Sequence, residues 1–519
     1  RDFFQEQGVE LAPGPKELMN MQRFYLYLNM TKPGEKLILS YSDTNAKGEG
    51  ISPAYLIGSI RSLYPKLEIE GGAGVRPHKN SINNYCYPEN PEAGIDLFLE
   101  KLVQETEKEH EDILKQADET DAMFGELYSW YLRNPEYRSR VQKLVQSAFA
   151  GKPKDIISQS VAKALYGEVS PYSATRLERF AACAFAHFLQ YGMKLTERVE
   201  YEFKPMDMGN VMHEALESFA EEVRKRGMKW TELTEQERNE IADRCLDNIV
   251  ADYGNTVLKS SARNEYMIER TRRILRRTVW ALQKQLEQGE FQPEGFEVTF
   301  GGGRIDRVDI MEDQNKVYVK VIDYKTGNTS FDLVYLYHGL QLQLMIYLDG
   351  ALRVEQKKYP DKEIIPAGVF YYNIKDPMIQ EKIDADVEAV SAGLMKELKM
   401  NGLVQADPEL VYRMDSSLGS IPVAFNKDGS FRKNSSVADR TQFAVLGRYV
   451  RTKIEKIRSS ILEGDAEVSP YELGKKNACT YCPYMTVCGF DRRLSGYEFR
   501  RLKNFSDEEL WKAFDREAE

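Results

Sequence analysis

The sequence predicts an α/β chain in at least two domains, the second organised around a β-hairpin. Its 519 residues exceed what one hydrophobic core usually serves. Residues 304–310 and 316–323 are rich in Val, Ile and Tyr, as strands are. The polar Met311-Glu312-Asp313-Gln314-Asn315 between them reads as a turn. Helix-like stretches flank this hairpin, before residue 290 and after residue 340.

In chain order, residues 1–165 form the first expected domain. Phe24–Leu28 reads as helix and Lys36–Tyr41 as strand. Ile51-Ser52-Pro53 leads into a helix through Leu63, and residues 95–165 read as helices of mixed charge. No G-x-x-x-x-G-K-[ST] occurs, so no P-loop is expected. The second expected domain is 166–519. Ser170-Pro171-Tyr172-Ser173 leads into a helix carrying Arg176, Phe180 and Cys183, and Arg198–Phe203 reads as a strand. Asp207–Asn210 starts a helix with His213, Leu216 and Ala220 on one face. Residues 231–290 read as helical and charged. Gly301-Gly302-Gly303 opens no helix, so it reads as a bend at the sheet edge and not as a phosphate cradle. Beyond the hairpin, Leu340–Leu352 reads as helix, Gly368–Tyr372 as strand and 440–463 as helix.

Composition bounds the function. The net charge of -10 gives no global basic field for nucleic acid, although a groove can be basic locally. No run of about 18 apolar residues occurs, so no transmembrane helix is expected. Six cysteines are too few for a secreted disulfide scaffold, which predicts a cytoplasmic protein. The chain opens Arg1-Asp2-Phe3-Phe4, with no initiator Met and no signal-peptide pattern, as expected of a piece of a longer protein.

The hairpin carries the chemistry. Folding its arms about the turn sets Asp306 near Asp323, where opposed Cβ atoms stand roughly 5 Å apart. Alternation puts Asp323 and Lys325 on one face. The two acids repel unless a positive charge sits between them, and a divalent metal is the obvious candidate. Each short motif alone also fits a solvated hairpin. His213, one of five histidines, reads as a packed helical residue or as a metal ligand. Gln343 and Tyr347, four apart, share one helix face.

Together, Gly209-x-x-x-His213, Ile305-Asp306, Asp323-x-Lys325 and Gln343-x-x-x-Tyr347 resemble the PD-(D/E)XK nuclease superfamily, in particular its RecB-like branch. The resemblance covers most of 166–495. It implies a restriction-endonuclease-like core, with a mixed central sheet flanked by helices. It implies that His213, Asp306 and Asp323 ligate Mg²⁺ with the backbone carbonyl of Tyr324. Lys325 would position the attacking water or stabilise charge on the phosphate, and Gln343 and Tyr347 would support the site and contact the DNA strand. Asp309 matches no such role and reads as a spectator. The physics agrees: phosphodiester hydrolysis needs a hydroxide at neutral pH and neutralisation of the transition state, which carboxylate-held Mg²⁺ and a lysine supply.

Cys479-x-x-Cys482, five residues and then Cys488 form a metal signal that by spacing alone suits zinc. Cys86 and Cys245 read as small buried hydrophobes. Cys183 before the nuclease motifs and three cysteines after them are similar to the iron–sulfur staple of the AddB family. That resemblance implies a [4Fe–4S] cluster held by Cys183, Cys479, Cys482 and Cys488, pinning the tail to the start of the domain. The related RexB plan often lacks the staple, so the cysteines favour AddB. A weaker likeness over residues 20–60 makes 1–165 look like part of a superfamily 1 helicase-like α/β region without Walker A.

The resemblance implies a Mg-dependent single-stranded DNA exonuclease subunit. It would act as a heterodimer with an AddA-type helicase/nuclease subunit on single-stranded and double-stranded DNA ends, in recombinational repair of double-strand breaks. A stand-alone RecB-like exonuclease of the CRISPR-adaptation kind and a non-catalytic DNA-binding scaffold are the alternatives. Two basic groups are candidate DNA contacts: Arg270, Arg273, Arg277 and Lys284 beside Arg272 and Arg276, and Arg492, Arg493, Arg500 and Arg501. Trp280 and Tyr371 are candidates for base stacking. A solvated helix with acidic neighbours is the other reading of these charges.

Overall fold

A computed structural model of the chain describes residues 13–42, 51–67, 90–92, 94–96, 98–99, 102, 119–148, 156–167, 173–196, 205–252, 261–301, 303–379, 386–492 and 496–518. It divides into two compact units, 1–149 and 150–519. The first holds helices α1 (Pro15–Thr31), α2 (Tyr55–Leu63), α3 (Glu119–Arg133) and α4 (Pro135–Ala148). Its core is a small cluster of Ile95, Phe98, Leu102, Tyr131 and Val141. Lys36–Tyr41, read as a strand, is exposed and lies in no strand. Its apolar alternation finds no partner among the described residues, and an unpaired strand leaves its backbone donors and acceptors to water.

The second unit begins with α5 (Gln159–Tyr166) and α6 (Ala174–Ala182). Then come α7 (Pro205–Lys225), α8 (Glu235–Asp252) and α9 (Ala262–Glu287). Residues 170–172 and the expected strand Arg198–Phe203 lie outside the described residues. Next are β1 (Gln292–Phe300), β2 (Gly303–Asp313), β3 (Lys316–Lys325), α10 (Gln343–Lys358), β4 (Glu363–Asn373), β5 (Asn401–Gln405), β6 (Val437–Ala438) and α11 (Arg440–Glu463). These six strands form one mixed sheet in the order β1-β2-β3-β4-β5-β6, with β3/β4 and β5/β6 parallel. A three-stranded sheet, β7 (Tyr471–Leu473), β8 (Lys476–Asn477) and β9 (Arg500–Arg501), and helix α12 (Asp507–Ala518) close the chain. The expected architecture, a mixed sheet flanked by helices, is the observed one. No helix among the described residues is long and apolar enough to cross a membrane.

Helices cover both faces of the sheet. One core joins α7, α8 and α9 to the sheet through Phe219, Leu246, Leu282, Ile322 and Phe370. The other joins α6, α10, α11 and α12 to it through Leu177, Val319, Leu344, Leu446 and Phe514. Burial on both faces explains why β2 and β3 read as near-continuous apolar runs.

The hairpin register runs from Arg307↔Ile322 to Asp313↔Lys316. The turn is therefore only Gln314-Asn315, and Met311–Asp313, read as turn, extend β2. Met311 is buried, so its place in the pleat stabilises the longer strand. The helix expected over Leu340–Leu352 runs instead from Gln343 to Lys358. Leu342 cannot cap it; the carboxylate of Glu178, from α6, accepts from the N–H groups of Leu342 (2.7 Å) and Gln343 (2.9 Å). The start of α10 is thus set by a tertiary contact.

Asp309, read as a spectator of the chemistry, lies outside the cluster of His213, Glu297 and Asp306 and has a structural partner set. It is fully buried and pairs with two buried cations, Arg307 at 2.5 and 2.9 Å and Lys320 at 3.0 Å. Burial opposes its charge, but Arg307 and then Lys320 prevail and hold its carboxyl below the usual range. Trp230 and Phe296 flank the Arg307 guanidinium, 5.6 and 5.7 Å from their ring centres.

Candidate active site

One rank of residues crosses the sheet. Phe296↔Arg307 and Val298↔Ile305 bracket Glu297 opposite Asp306. Extending the β2/β3 register by one pair sets Asp306 opposite Asp323. Asp323 pairs with Tyr371, and Tyr371 with Asn401. Three acids therefore stand side by side on β1, β2 and β3, at the end of the sheet that His213 of α7 overhangs.

His213 Nδ1 lies 3.3 Å from Asp306 Oδ2 and 3.8 Å from Glu297 Oε1. Among the described residues, His213, Glu297 and Asp306 form the cluster of potential ligand atoms that all lie within 4.8 Å of one another. The Tyr324 N–H donates to Asp306 Oδ2 at 2.7 Å, so the strand itself orients that carboxylate. Glu297 has φ 49, left-handed for a residue with a side chain. The facing of β1 reverses there: Phe296 packs on the α7–α9 core and Val298 on the opposite one. This turnover brings a nearly buried carboxylate to His213, and Arg304 Nε holds its other oxygen at 2.5 Å.

Asp323, Lys325, Gln343 and Tyr347 form a second, connected group. Lys325 Nζ is 2.6 Å from Asp323 Oδ2 and donates to Gln343 Oε1 at 2.8 Å. Gln343 Nε2 donates to Asp323 Oδ1 (2.8 Å) and to Tyr347 Oη (3.0 Å). Only this amide orientation pairs oxygen with the ammonium and nitrogen with the carboxylate. Glu178 accounts for the fixed position of Gln343 by holding its backbone N–H.

Burial and then the charge of Asp323 push the Asp306 carboxyl up to about 7. Burial raises Asp323 too, and Lys325 offsets this only in part. Burial works against a charged His213, but Glu297 and then Asp306 prevail and raise it. Burial lifts Glu178 to about 7 despite its two N–H donors. Buried carboxylates this close together favour their protonated forms unless a positive charge sits among them. One imidazole beside hard carboxylate oxygens suits a divalent cation.

Of the residues singled out, His213 and Asp306 meet in the first group, with the Tyr324 N–H on Asp306. Asp323, Lys325, Gln343 and Tyr347 form the second, and Asp323 is not in the His213 ligand cluster. Two were missed. Glu297 had a signal, since Phe296-Glu297-Val298-Thr299-Phe300 alternates as a strand does and ends at the glycine bend. Glu178 had none, because its role exists only once α6 docks on α10.

Four cysteines converge at a second place. Cys183, Cys479, Cys482 and Cys488 line one cavity with Phe185, Tyr484 and Phe490. Cys183 sits between two helical segments, ending α6 and preceding Ala184–His187. The backbone N–H groups of Ala186, Ser469 and Phe185 favour its thiolate, although burial raises its thiol overall. Burial, with the neighbouring cysteines, pushes Cys479 up to about 12. Cys245 is buried away from this group, as read, and Cys86 lies outside the described residues.

The basic residues are largely neutralised. Arg272 pairs with Asp247 and Asp243, Arg276 with Asp243, Arg273 and Arg277 with Asp376, and Lys284 with Glu287. Arg500 donates to Ala181 O and Arg501 stands 3.8 Å from Glu472, while Arg493 lies outside the described residues. Tyr371 is buried beside Lys325 and offers no face for stacking. The reading of α9 as a helix with acidic neighbours is the one its ion pairs support.

A profile of the PD-(D/E)XK nuclease superfamily matches residues 171–489. Over its full length the chain is 39% identical to the B subunit of the ATP-dependent helicase/deoxyribonuclease of Lachnoclostridium phytofermentans, covering 45% of that protein. It is 31% identical to proteins of the same name from Alkaliphilus metalliredigens and Clostridium acetobutylicum, covering 46% of each. The chain thus spans about half the length of the curated relatives it matches.

Proposed function

Because this chain belongs to the PD-(D/E)XK nuclease superfamily, we propose that it is the nuclease-bearing part of an AddB-type helicase–nuclease subunit. In this reading it hydrolyses single-stranded DNA with Mg²⁺, as an exonuclease on the strand of 5′ polarity. It pairs with an AddA-type helicase/nuclease subunit at DNA double-strand breaks. The name shared by its full-length relatives supports the subunit assignment, and residues 1–165 are proposed as a partial helicase-like region.

The observation that carries the reading is the rank of Glu297, Asp306 and Asp323 under His213, with Lys325 beside it. His213, Asp306, Asp323 and the Tyr324 carbonyl would hold the cation, with Glu297 in the same cluster. The bound cation would supply positive charge at the scissile phosphate and lower the pKa of an adjacent water. Lys325 is anchored by Asp323 and Gln343, so its ammonium meets the phosphate or the attacking water without reorganisation. Asp306, whose carboxyl burial and then Asp323 push up to about 7, would hold the cation as the carboxylate. Tyr347 and Gln343 fix this geometry and face the strand. Asp306→Ala tests the reading with a labelled single-stranded oligonucleotide: cleavage lost with binding retained supports it, and unchanged cleavage overturns it.

The cysteine cavity would hold a [4Fe–4S] cluster with a structural role. Four thiols brought together from residues 183 and 479–488, with N–H groups favouring the Cys183 thiolate, support that assignment. A broad visible absorbance from anaerobically purified protein is the expected result. A colourless protein with stoichiometric zinc overturns it.

A further inference from the structure

A groove of about 540 Å³ runs between α10 and α11, beside the end of β1. It begins one ring away from the active site. The Phe300 ring, on the groove wall, meets Tyr347 edge-on at 5.9 Å, and Tyr347 Oη accepts from Gln343. Leu177 on its wall precedes Glu178, which holds the start of α10. Gly350 lets the wall form: a Cβ there would stand 2.7 Å from Phe300 Cδ2.

The charge of this groove is the reverse of the chain's. Arg353 and Lys357, four residues apart on α10, face Arg451 and Arg458, seven apart on α11. Asp349 is the one acid on the wall; it pairs with Arg353 at 2.6 Å and Arg451 at 2.8 Å. Arg458 also meets Glu455, from its own helix, at 3.0 Å. The wall thus carries four cations against one lining carboxylate, in a chain of net charge -10. Arg353, Lys357 and Arg451 are exposed, and the single carboxylate of Asp349 is shared between Arg353 and Arg451.

We propose that this groove binds the phosphate backbone of single-stranded DNA next to the nucleotide being cut. The inference rests on the nuclease reading of the adjoining site. The Phe300 ring separates the groove from Tyr347. The apolar floor of Met345, Ile346 and Val450 accepts sugars and bases without sequence preference. An acidic protein segment would match the charge, but adjacency to Gln343 and Tyr347 favours the substrate strand.

The test is anisotropy of a fluorescent oligothymidylate with the full chain, metals chelated, over a range of salt. Each phosphate neutralised contributes about 0.7 to the slope of log affinity against log salt for a single strand. The triple variant Arg353→Ala, Lys357→Ala, Arg451→Ala should flatten that slope by about 2 and weaken binding about tenfold or more at low salt. Arg353→Lys with Arg451→Lys, which preserves the charge, should keep the slope and guards against misfolding. Arg276→Ala, outside the groove, should also keep it. An unchanged slope in the triple variant overturns the proposal, even in a chain that cleaves DNA. A chain that never cleaves DNA yet shows the charge-dependent slope sinks the nuclease reading and keeps the groove.

Discussion

Replacing Asp309 by Asn removes the one carboxylate that two buried cations share. At 3.0 Å from Lys320 and 2.9 Å from Arg307, each attraction is worth about 5–6 kcal/mol at an effective dielectric constant of 20. Both cations are almost fully buried, so bulk solvent does not replace that partner's charge. Breaking a buried pair by removing one ion costs about 3–5 kcal/mol, and here two ions are stranded. Asp309→Asn should therefore destabilise by about 5 kcal/mol or more, comparable with the whole stability of an ordinary domain. Lys320→Met is the informative contrast. It leaves the bidentate Arg307–Asp309 pair, removes a buried ammonium and keeps the volume, so its effect should lie within about 1 kcal/mol of zero. Urea unfolding of both variants, followed by far-UV circular dichroism, decides between them. If Asp309→Asn costs no more than Lys320→Met, the counter-ion account is wrong and Asp309 returns to the role of bystander.

Glu178, raised from 4.5 to about 7, holds its proton more tightly in the folded than in the unfolded chain. Stability should thus fall as pH rises from about 4.5 to 7, by roughly 3 kcal/mol from this group, and Glu178→Gln should flatten that part of the profile; an unaltered profile would contradict it. Gly402 allows β5 to lie against β4, since a Cβ there would sit 1.9 Å from Val369 O. Gly402→Ala should lower the melting temperature by the equivalent of about 1–3 kcal/mol, and a melt equal to the parent's would show that the strands have room to spare.

Period-two alternation and a turn placed to within a few residues were enough to set Asp306 near Asp323 and to share a face between Asp323 and Lys325. What escaped was whatever depended on elements distant in sequence. The arginines of α9 are visible as a basic stripe, but Asp376 and Asp243, which neutralise them, come from other elements. Asp309 looks idle until β2 and β3 are seen with Arg307 and Lys320 on the same buried face. The start of α10 has no local cap because the cap is Glu178. Glu297 was within reach, had the strand pattern been followed back past the glycines to Phe296. Lys36–Tyr41 is the opposite case, a strand-like pattern with no strand to pair with among the described residues.

His213, Glu297, Asp306 and Asp323 are proposed to surround one divalent cation. Anomalous diffraction from a crystal of the protein soaked in Mn²⁺ tests it directly. The account expects a peak about 2.0–2.2 Å from His213 Nδ1 or Nε2 and from an Asp306 oxygen, with the Asp306→Asn crystal lacking it. Density that places manganese elsewhere, or leaves His213 bonded straight to Asp306 at saturating metal, would contradict it.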